Sequence, residues 1–365
     1  MYCEKGSPDA PQHRIPPNPP ATGAARYAPP MAATPKRPTI KQIAEETGLS
    51  VTAVSYALRG ERVSAATIER VQAVADQLGY SADPVARALR GGRTGTIGVL
   101  VGSLADFWQQ TLAHAVQREL RTHGLHTILA DADGDPAEEL ALAARLAAQR
   151  VDGLLVAPIG PAGGDWAKLT ERTPTVTISG RLPGAELAGE VAFDQTTGVG
   201  EMLRHLHSLG HRRIAVLSWA VEASPDRPTE RAVREQAATL GLDCEIVQCA
   251  YSLDGSRPLA LEVLERADRP TAIFCLSDSI AYGVLHGCRE LGLQVPGDIS
   301  VVGFDDHPLS RLVDPPLTSV NWSIDRTARA AVGFLVDHLA GDRGDHRVVI
   351  APTMVVRDSS GPAPS

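Results

Sequence analysis

Three helical patterns lie within residues 38–82, each with its own start and stop signals, and they constrain the fold more than any other stretch. Thr39 with Gln42 three residues on makes a capping box, in which two side chains satisfy backbone N–H groups that the first turn leaves open. Ile40, Ile43 and Ala44 then recur at helical spacing until Gly48. Ser50 caps the second pattern, where Val54, Ala57 and Leu58 form the apolar face and Gly60 closes it. Val51, Thr52, Ser55, Tyr56 and Arg59 are left facing outward. The third begins at Ser64 and buries Ile68, Val71, Ala75 and Leu78 before Gly79. Two helices joined by a tight glycine turn, the second offering small side chains near its N-terminus, have the helix-turn-helix geometry that enters a DNA major groove.

Asp83-Pro84, an N-cap residue and a proline suited to the first helical position, opens the short run Val85-Ala86-Arg87-Ala88-Leu89. Nucleation is too costly for so short a helix to stand alone in water, so it should fold only when something packs against it. Residues 83–94 are therefore a candidate hinge and linker.

Charge is distributed to match. The chain of 365 residues carries −8 overall, a balance that by itself argues against a nucleic-acid partner. Residues 36–93, however, hold nine Lys/Arg against six Asp/Glu, a net +3 on a body that is −12. A basic head on an acidic body concentrates phosphate attraction where the helix-turn-helix lies, and so weak an excess means that placement must do the binding.

Nine prolines fall within residues 1–37, which contain little that could pack and should be disordered. Met31, just ahead of the patterned region, is an alternative translation start. The five cysteines, Cys3, Cys244, Cys249, Cys275 and Cys288, show no metal-ligand spacing and are expected as free thiols in a reducing cytoplasm. No apolar run approaches the roughly 20 residues of a membrane span, and no signal segment precedes the first helix.

From Thr96 the pattern changes to buried apolar runs alternating with helices. Strands are expected at 97–101, 126–130, 151–157, 213–217, 272–276 and 299–303, with helices at about 107–123 and 136–149. Such alternation builds parallel α/β sheets, whose ligands bind beyond the carboxyl ends of the strands. Enzymatic signatures are missing. No Gly-x-Gly-x-x-Gly follows the first strand, and neither a Walker-type loop nor a Gly-x-Ser-x-Gly elbow occurs. His114, His123, His126, His205, His207 and His211 are expected mostly on helix surfaces or ends. His205 and His207 are two apart, which denies them a shared helical face for a metal. The sequence therefore calls for no metal, no cofactor and no catalysis.

The chain resembles the lactose/galactose repressor (LacI/GalR) family of bacterial transcription factors over residues 38–358. The resemblance rests on Thr39-Ile40-Lys41 with Ile43-Ala44, Gly48-Leu49-Ser50 with Val54-Ser55, and Val63-Ser64 with Thr67. It continues through Leu78-Gly79-Tyr80, Ala86-Arg87-Ala88-Leu89-Arg90 and Thr96-Ile97-Gly98-Val99-Leu100. It implies a three-helix DNA-binding domain at 38–82, the hinge at 83–94 and an effector-binding, dimerising body like a periplasmic binding protein at 95–358. That body would divide into one subdomain of about 95–191 with 322–342 and another of about 192–321 with 343–358. Three crossings, near 192, 321 and 343, would join them, and residues 359–365 would form a flexible tail.

The implied function is that of a cytoplasmic, nucleoid-associated transcriptional regulator, a repressor, whose operator affinity a sugar or related metabolite controls allosterically. Its partners would be palindromic operator DNA, the effector, and a second copy in a homodimer or a tetramer. By position in the family, Val51, Thr52 and Tyr56 would touch base edges, with Ser50 and Ser55 nearer phosphates and Thr39, Ser64 and Tyr80 on the backbone. Relatives commonly have arginine at the place of Tyr56, so this operator should depart from their half-site. Leu89, beside Ala86, would wedge into the minor groove.

On the effector side the resemblance implies Asp305 at a strand end, Arg227 ten residues after Leu217 (with Arg231 the competing position), and the aromatics Phe107, Trp108, Tyr251 and Trp322. Ser277 stands where relatives often have asparagine. Asp306 reads as a turn residue. A sugar sensor without DNA function is the runner-up, and a sugar-modifying enzyme stands third.

Overall fold

The computed structural model describes residues 38–58, 60–80, 93–159, 165–182, 184–219, 227–249 and 253–364. The expected short helix with Ala86 and Leu89, the tail 1–37 and Tyr251 lie outside them. The described residues up to 80 and those from 93 onward form two compact units.

In the first unit α1 (Ile40–Thr47), α2 (Val51–Ala57) and α3 (Ala65–Leu78) follow the sequence pattern. Thr39 and Gln42 form both halves of the capping box, and Gly48 and Gly79 end α1 and α3 in the left-handed conformation that glycine adopts without a Cβ penalty. Ile43, Ala44, Val54, Ala57, Val71 and Ala75 make the core. Arg70 reaches from α3 to the carbonyl of Thr47 at 3.1 Å and ties the third helix to the end of the first.

The second unit contains two parallel sheets. The first has the order β11-β5-β4-β3-β1-β2. Its strands are β1 (Thr96–Val101), β2 (His126–Asp131), β3 (Gly153–Ala157), β4 (Thr175–Ile178), β5 (Gly189–Phe193) and β11 (Arg347–Ile350). The helices α4 (Phe107–Thr122), α5 (Pro136–Ala148) and α6 (Trp166–Thr170) connect its early strands. The second sheet has the order β7-β6-β8-β9. It comprises β6 (Arg213–Trp219), β7 (Asp243–Cys249), β8 (Ala272–Cys275) and β9 (Ser300–Val302). Its helices are α7 (Gln195–Ser208), α8 (Pro228–Leu240), α9 (Leu253–Leu264) and α10 (Asp278–Glu290). β10 (Ser319–Asn321) pairs antiparallel with β12 (Thr353–Val355), and α11 (Ile324–Ala340) returns to the first sheet.

The chain therefore passes between the halves after Phe193, after Asn321 and after Ile350. The third does not lie near 343, because Arg347–Ile350 pairs in register with Glu190–Phe193 and Ile350 is buried in the first core. The polar turn Arg343–His346 resembles a crossing but only leads into an edge strand.

The stretch 359–365, expected to be a flexible tail, is docked over its described part. Val301 N–H donates to the Ser359 carbonyl at 2.9 Å and the Ser359 hydroxyl donates to the Val301 carbonyl at 2.6 Å, so the segment is held against the edge strand β9 of the second sheet. Gly361 N–H donates to Ser300 Oγ at 3.0 Å and Ala363 N–H to the carbonyl of Leu209 at 2.8 Å. This docking also encloses His211, which is fully buried rather than solvated. Its ring nitrogens meet Thr271 Oγ1 at 2.8 Å and Ser300 Oγ and the Gly361 carbonyl at 3.1 Å. Burial lowers its pKa. Cys249, Cys275 and Cys288 are buried free thiols whose pKa values burial raises. Among the described residues no helix is long and apolar enough to cross a membrane, and no cluster could hold a metal ion.

Candidate functional site

In the helical unit, Ser50 N-caps α2 with its hydroxyl accepting from Ala53 N–H at 3.1 Å. Val51 and Thr52, next along, are exposed, and Val51 is 38% accessible although it is apolar. An exposed valine at a helix N-terminus leaves a methyl surface free for a partner. Ser55 and Tyr56 are half-buried. Tyr56 Oη accepts from Arg62 at 3.3 Å, and the Arg62 guanidinium lies 5.3 Å from the centre of the Tyr56 ring. The expected base-reader is thus joined to a cation from the loop before α3. Ser64 caps α3, its hydroxyl accepting from Thr67 N–H at 3.3 Å. Thr39 is exposed at the start of α1, and Tyr80 is half-buried beyond Gly79.

In the other unit, the carboxyl ends of both sheets converge on a cavity. Its deep part, about 80 Å³, is lined from the first half by Trp108, Gln109, Ser179 and Phe193, and from the second by Trp219, Thr229, Asp305 and Trp322, among others. A wider part of about 400 Å³ shares Ser179, Phe193, Gln195, Trp219 and Thr229 and adds Arg181, Glu190 and Arg227. Rings supply much of the wall. Phe193 stacks on Trp322 with centroids 5.0 Å apart and meets the edge of Trp108 at 5.7 Å. Trp322 is held by its own indole N–H, which donates to the Phe304 carbonyl at 2.8 Å.

Arg227 lies buried in the wide part with its guanidinium 3.7 Å from the centre of the Trp219 ring. It donates to the Trp219 carbonyl at 2.6 Å and to Ser218 Oγ at 3.3 Å, and Glu230 lies 3.9 Å away. Arg231 is exposed on α8 and lines neither part. Glu139, fully buried on α5, accepts the N–H of Ile159 in the wall of the wide part at 2.8 Å, and burial pushes its carboxyl up to about 7.

Asp305 lines the deep part, next to the two buried carboxylates Asp106 and Asp278. One of its oxygens accepts Asp278 N–H at 2.8 Å. Burial first, then the charges of Asp106 and Asp278, raise its pKa well above the usual carboxylate range. Asp278 is fixed by five donors, Phe304 N, Asp305 N, His307 N, Ser310 Oγ and Ser319 Oγ, within 3.3 Å. Asp306 is a turn residue, as read: it sits at φ 48°, accepts from Asn321 and pairs with Arg357.

Two expected effector contacts lie elsewhere. Phe107 stacks on His307 at 5.4 Å and packs near Tyr282, outside the cavity lining. Ser277 N-caps α10 and donates to Asp106 Oδ2 at 3.0 Å. Both belong to a joint that the sequence did not disclose. Asp106 is fully buried; its Oδ1 caps α4 through Gln109 N–H at 2.9 Å, and its Oδ2 accepts from Ser277 and Ser279 hydroxyls at 3.0 Å each. Ser279 Oγ in turn accepts Phe107 N–H at 3.1 Å. Two helix N-termini, one from each half, thus face a single carboxylate, whose charge both dipoles favour. Gln109, Gln195, Trp219 and Thr229 are further lining residues missed from sequence. An Asp directly before a helical pattern was the one available signal, and it pointed only to a cap.

A family profile described as bacterial regulatory proteins, lacI family, matches residues 39–83, and one for a periplasmic binding protein-like domain matches residues 203–360. The HTH-type transcriptional regulator MalR of Streptomyces coelicolor is 32% identical over 341 residues, covering 89% of this chain and 97% of the relative. The chain belongs to the LacI family. Among solved structures, the Lac repressor bound to ONPG in the repressed state matches with a TM-score of 0.78 at 25% identity, over 89% of this chain and 100% of that one. A complex of the transcriptional regulator CelR with cellobiose matches at 0.63 and 27% identity, over 88% and 100%. The two-sheet body and the helix-turn-helix unit are thus the LacI-family architecture, with tyrosine at position 56.

Proposed function

We propose that this LacI-family chain is a repressor that binds a palindromic operator as a homodimer in the cytoplasm and responds to a sugar-like effector. It acts by binding rather than by catalysis. One observation carries the reading: the cavity takes its walls from both sheets, so an occupant touches both halves at once. A ligand that prefers one arrangement of the halves shifts the equilibrium by its differential affinity, and operator affinity shifts with it. Val51, Thr52 and Tyr56 read bases, with Ser50, Ser55, Thr39, Ser64 and Tyr80 on the sugar-phosphate backbone, Ala86 at the hinge and Leu89 in the minor groove. Trp108, Asp305, Trp322 and Arg227 hold the effector, and Tyr251 is a further effector contact. The complexes of relatives with ONPG and cellobiose support a glycoside-sized ligand.

A gel-shift series with the DNA upstream of the chain's own gene, at several salt concentrations and with metabolite pools added, tests this. Retention of one specific duplex over random DNA, altered by a small molecule, is the expected result. Equal binding to all duplexes with every pool would defeat it.

A further inference from the structure

Three chain passages join the two halves of the body, and a further link between them is made of side chains. Asp106, at the start of α4 in the first half, is fully buried, and its Oδ2 accepts the hydroxyls of Ser277 and Ser279 from the second half at 3.0 Å each. Ser279 Oγ accepts the Phe107 N–H at 3.1 Å, and the Phe107 ring packs on the second half's core beside Tyr282 and His307. Hydrogen bonds to an ionised acceptor are about twice as strong as neutral ones, and burial shields these from water. Both sides of the joint adjoin the cavity. Trp108 and Gln109 follow Asp106 and Phe107, Leu276 precedes Ser277, and all three line the deep part. Ser277 also acts on Asp305 in the same lining, opposing the rise of its pKa. The deep part measures about 80 Å³, whereas pockets that enclose a small organic ligand begin at roughly 300 Å³. A ring-sized occupant of the deep part therefore needs the halves to move apart, and that movement must break these bonds.

We propose that Asp106, Ser277 and Ser279 form a latch between the halves that controls entry to the deep part of the cavity. This deepens the reading that the cavity binds a regulatory small molecule and rests on it. The latch engages at one spacing of the halves, because a hydrogen bond is lost once donor and acceptor separate beyond about 3.5 Å. A ligand that holds the halves further apart gives up the two carboxylate bonds and the Phe107 bond together, so the change is between two states rather than gradual. Affinity for the deep part is then reduced by the fraction of molecules in which the latch is shut, and a weaker latch admits small molecules more readily. Phe107 and Ser277 thereby keep a part in effector control, as components of the latch rather than of the lining.

The test uses the full chain carrying Trp219→Phe, which removes the half-buried indole of the cavity wall and leaves Trp108, Trp166 and Trp322, all buried. Acrylamide, a small neutral quencher of indole fluorescence, is the probe. Asp106→Asn removes the charge from one side of the joint, and Ser277→Ala with Ser279→Ala removes the donors from the other, so one folded variant suffices. In either variant the quenching constant should rise about twofold or more as Trp108 and Trp322 become reachable. Trp166, inside the first half's own core, should stay shielded. The buried thiols of Cys275 and Cys288 should remain as unreactive toward a disulfide reagent as in the parent, since moving the halves apart leaves the second half's core intact. A quenching constant equal to the parent's in a folded variant overturns the proposal. So does a rise accompanied by exposure of those thiols, which would make the joint a support of the general fold and not a latch. Specific operator retardation measured on the parent chain judges the regulator reading separately.

Discussion

Replacing Asp106 with alanine should destabilise the two-sheet unit more than any exposed carboxylate could. Two hydroxyl donors at 3.0 Å and one backbone donor at 2.9 Å converge on this fully buried side chain. Hydrogen bonds to an ionised partner contribute roughly 1.5–3 kcal/mol each, and an N-cap about 1 kcal/mol. Against these stand the cost of burying the charge and its repulsion with Asp305. The balance is a loss of about 2–4 kcal/mol for Asp106→Ala. Asparagine retains the oxygen that caps Gln109 but not the charge that draws in Ser277 and Ser279, so Asp106→Asn should lose about half as much. For a unit of this size that corresponds to a fall in thermal midpoint of roughly 4–12 °C for alanine. Tryptophan fluorescence during urea or thermal unfolding, at fixed protein concentration because association shifts the midpoint, measures both variants. Two results would refute the reasoning: alanine within about 0.5 kcal/mol of the parent chain, or asparagine as costly as alanine.

Other expectations follow from single contacts. The folded chain keeps a proton on Glu139 up to about pH 7 that an unfolded carboxyl releases near 4.5. Its stabilising contribution, about 3 kcal/mol in all, is complete below the lower value and is lost as the pH rises through the higher one. Glu139→Gln should therefore flatten the fall in thermal midpoint between pH 5 and pH 8; an unchanged slope would clear Glu139. A Cβ on Gly303 would stand 2.0 Å from Asp278 Oδ1, and five donors keep that carboxylate from moving. Gly303→Ala should thus cost upwards of about 3 kcal/mol in urea unfolding. Val51→Ser should leave stability within about 0.5 kcal/mol and weaken specific operator binding by about 1–2 kcal/mol. Fluorescence anisotropy should then show an unaltered salt slope and unaltered affinity for random duplex. Truncation after Asp358 should lower the thermal midpoint, since Ser359, Gly361 and Ala363 close the second sheet's edge.

Local signals were enough for the elements. Capping residues, glycine stops and apolar periodicity act within one or two turns, so α1 to α3 and the strands with Val99, Leu155 or Ile273 were legible from residues a few positions apart. What failed was information carried by a distant neighbour. Arg347–Ile350 is short and half-exposed, and only its pairing with β5, more than 150 positions earlier, makes it part of the first sheet. His211 reads as a polar residue at a helix end until the terminal segment folds over it.

The same distinction explains why the cavity could be anticipated while its chemistry could not. Residue type announces an aromatic at 108, a carboxylate at 305 and an arginine at 227. Whether each gives or takes a hydrogen bond depends on what occupies its other atoms. Trp322 and Trp108 have the same indole, yet one donates to Phe304 and the other finds no acceptor among the described residues. Asp305 is held above the usual carboxylate range by its burial first and then by Asp106 and Asp278, 199 and 27 positions away. Gln109 offers a donor only because the end of β1 turns two amides onto its oxygen. Hydrogen-bonding character in this cavity is therefore set by pairs of residues that the fold brings together.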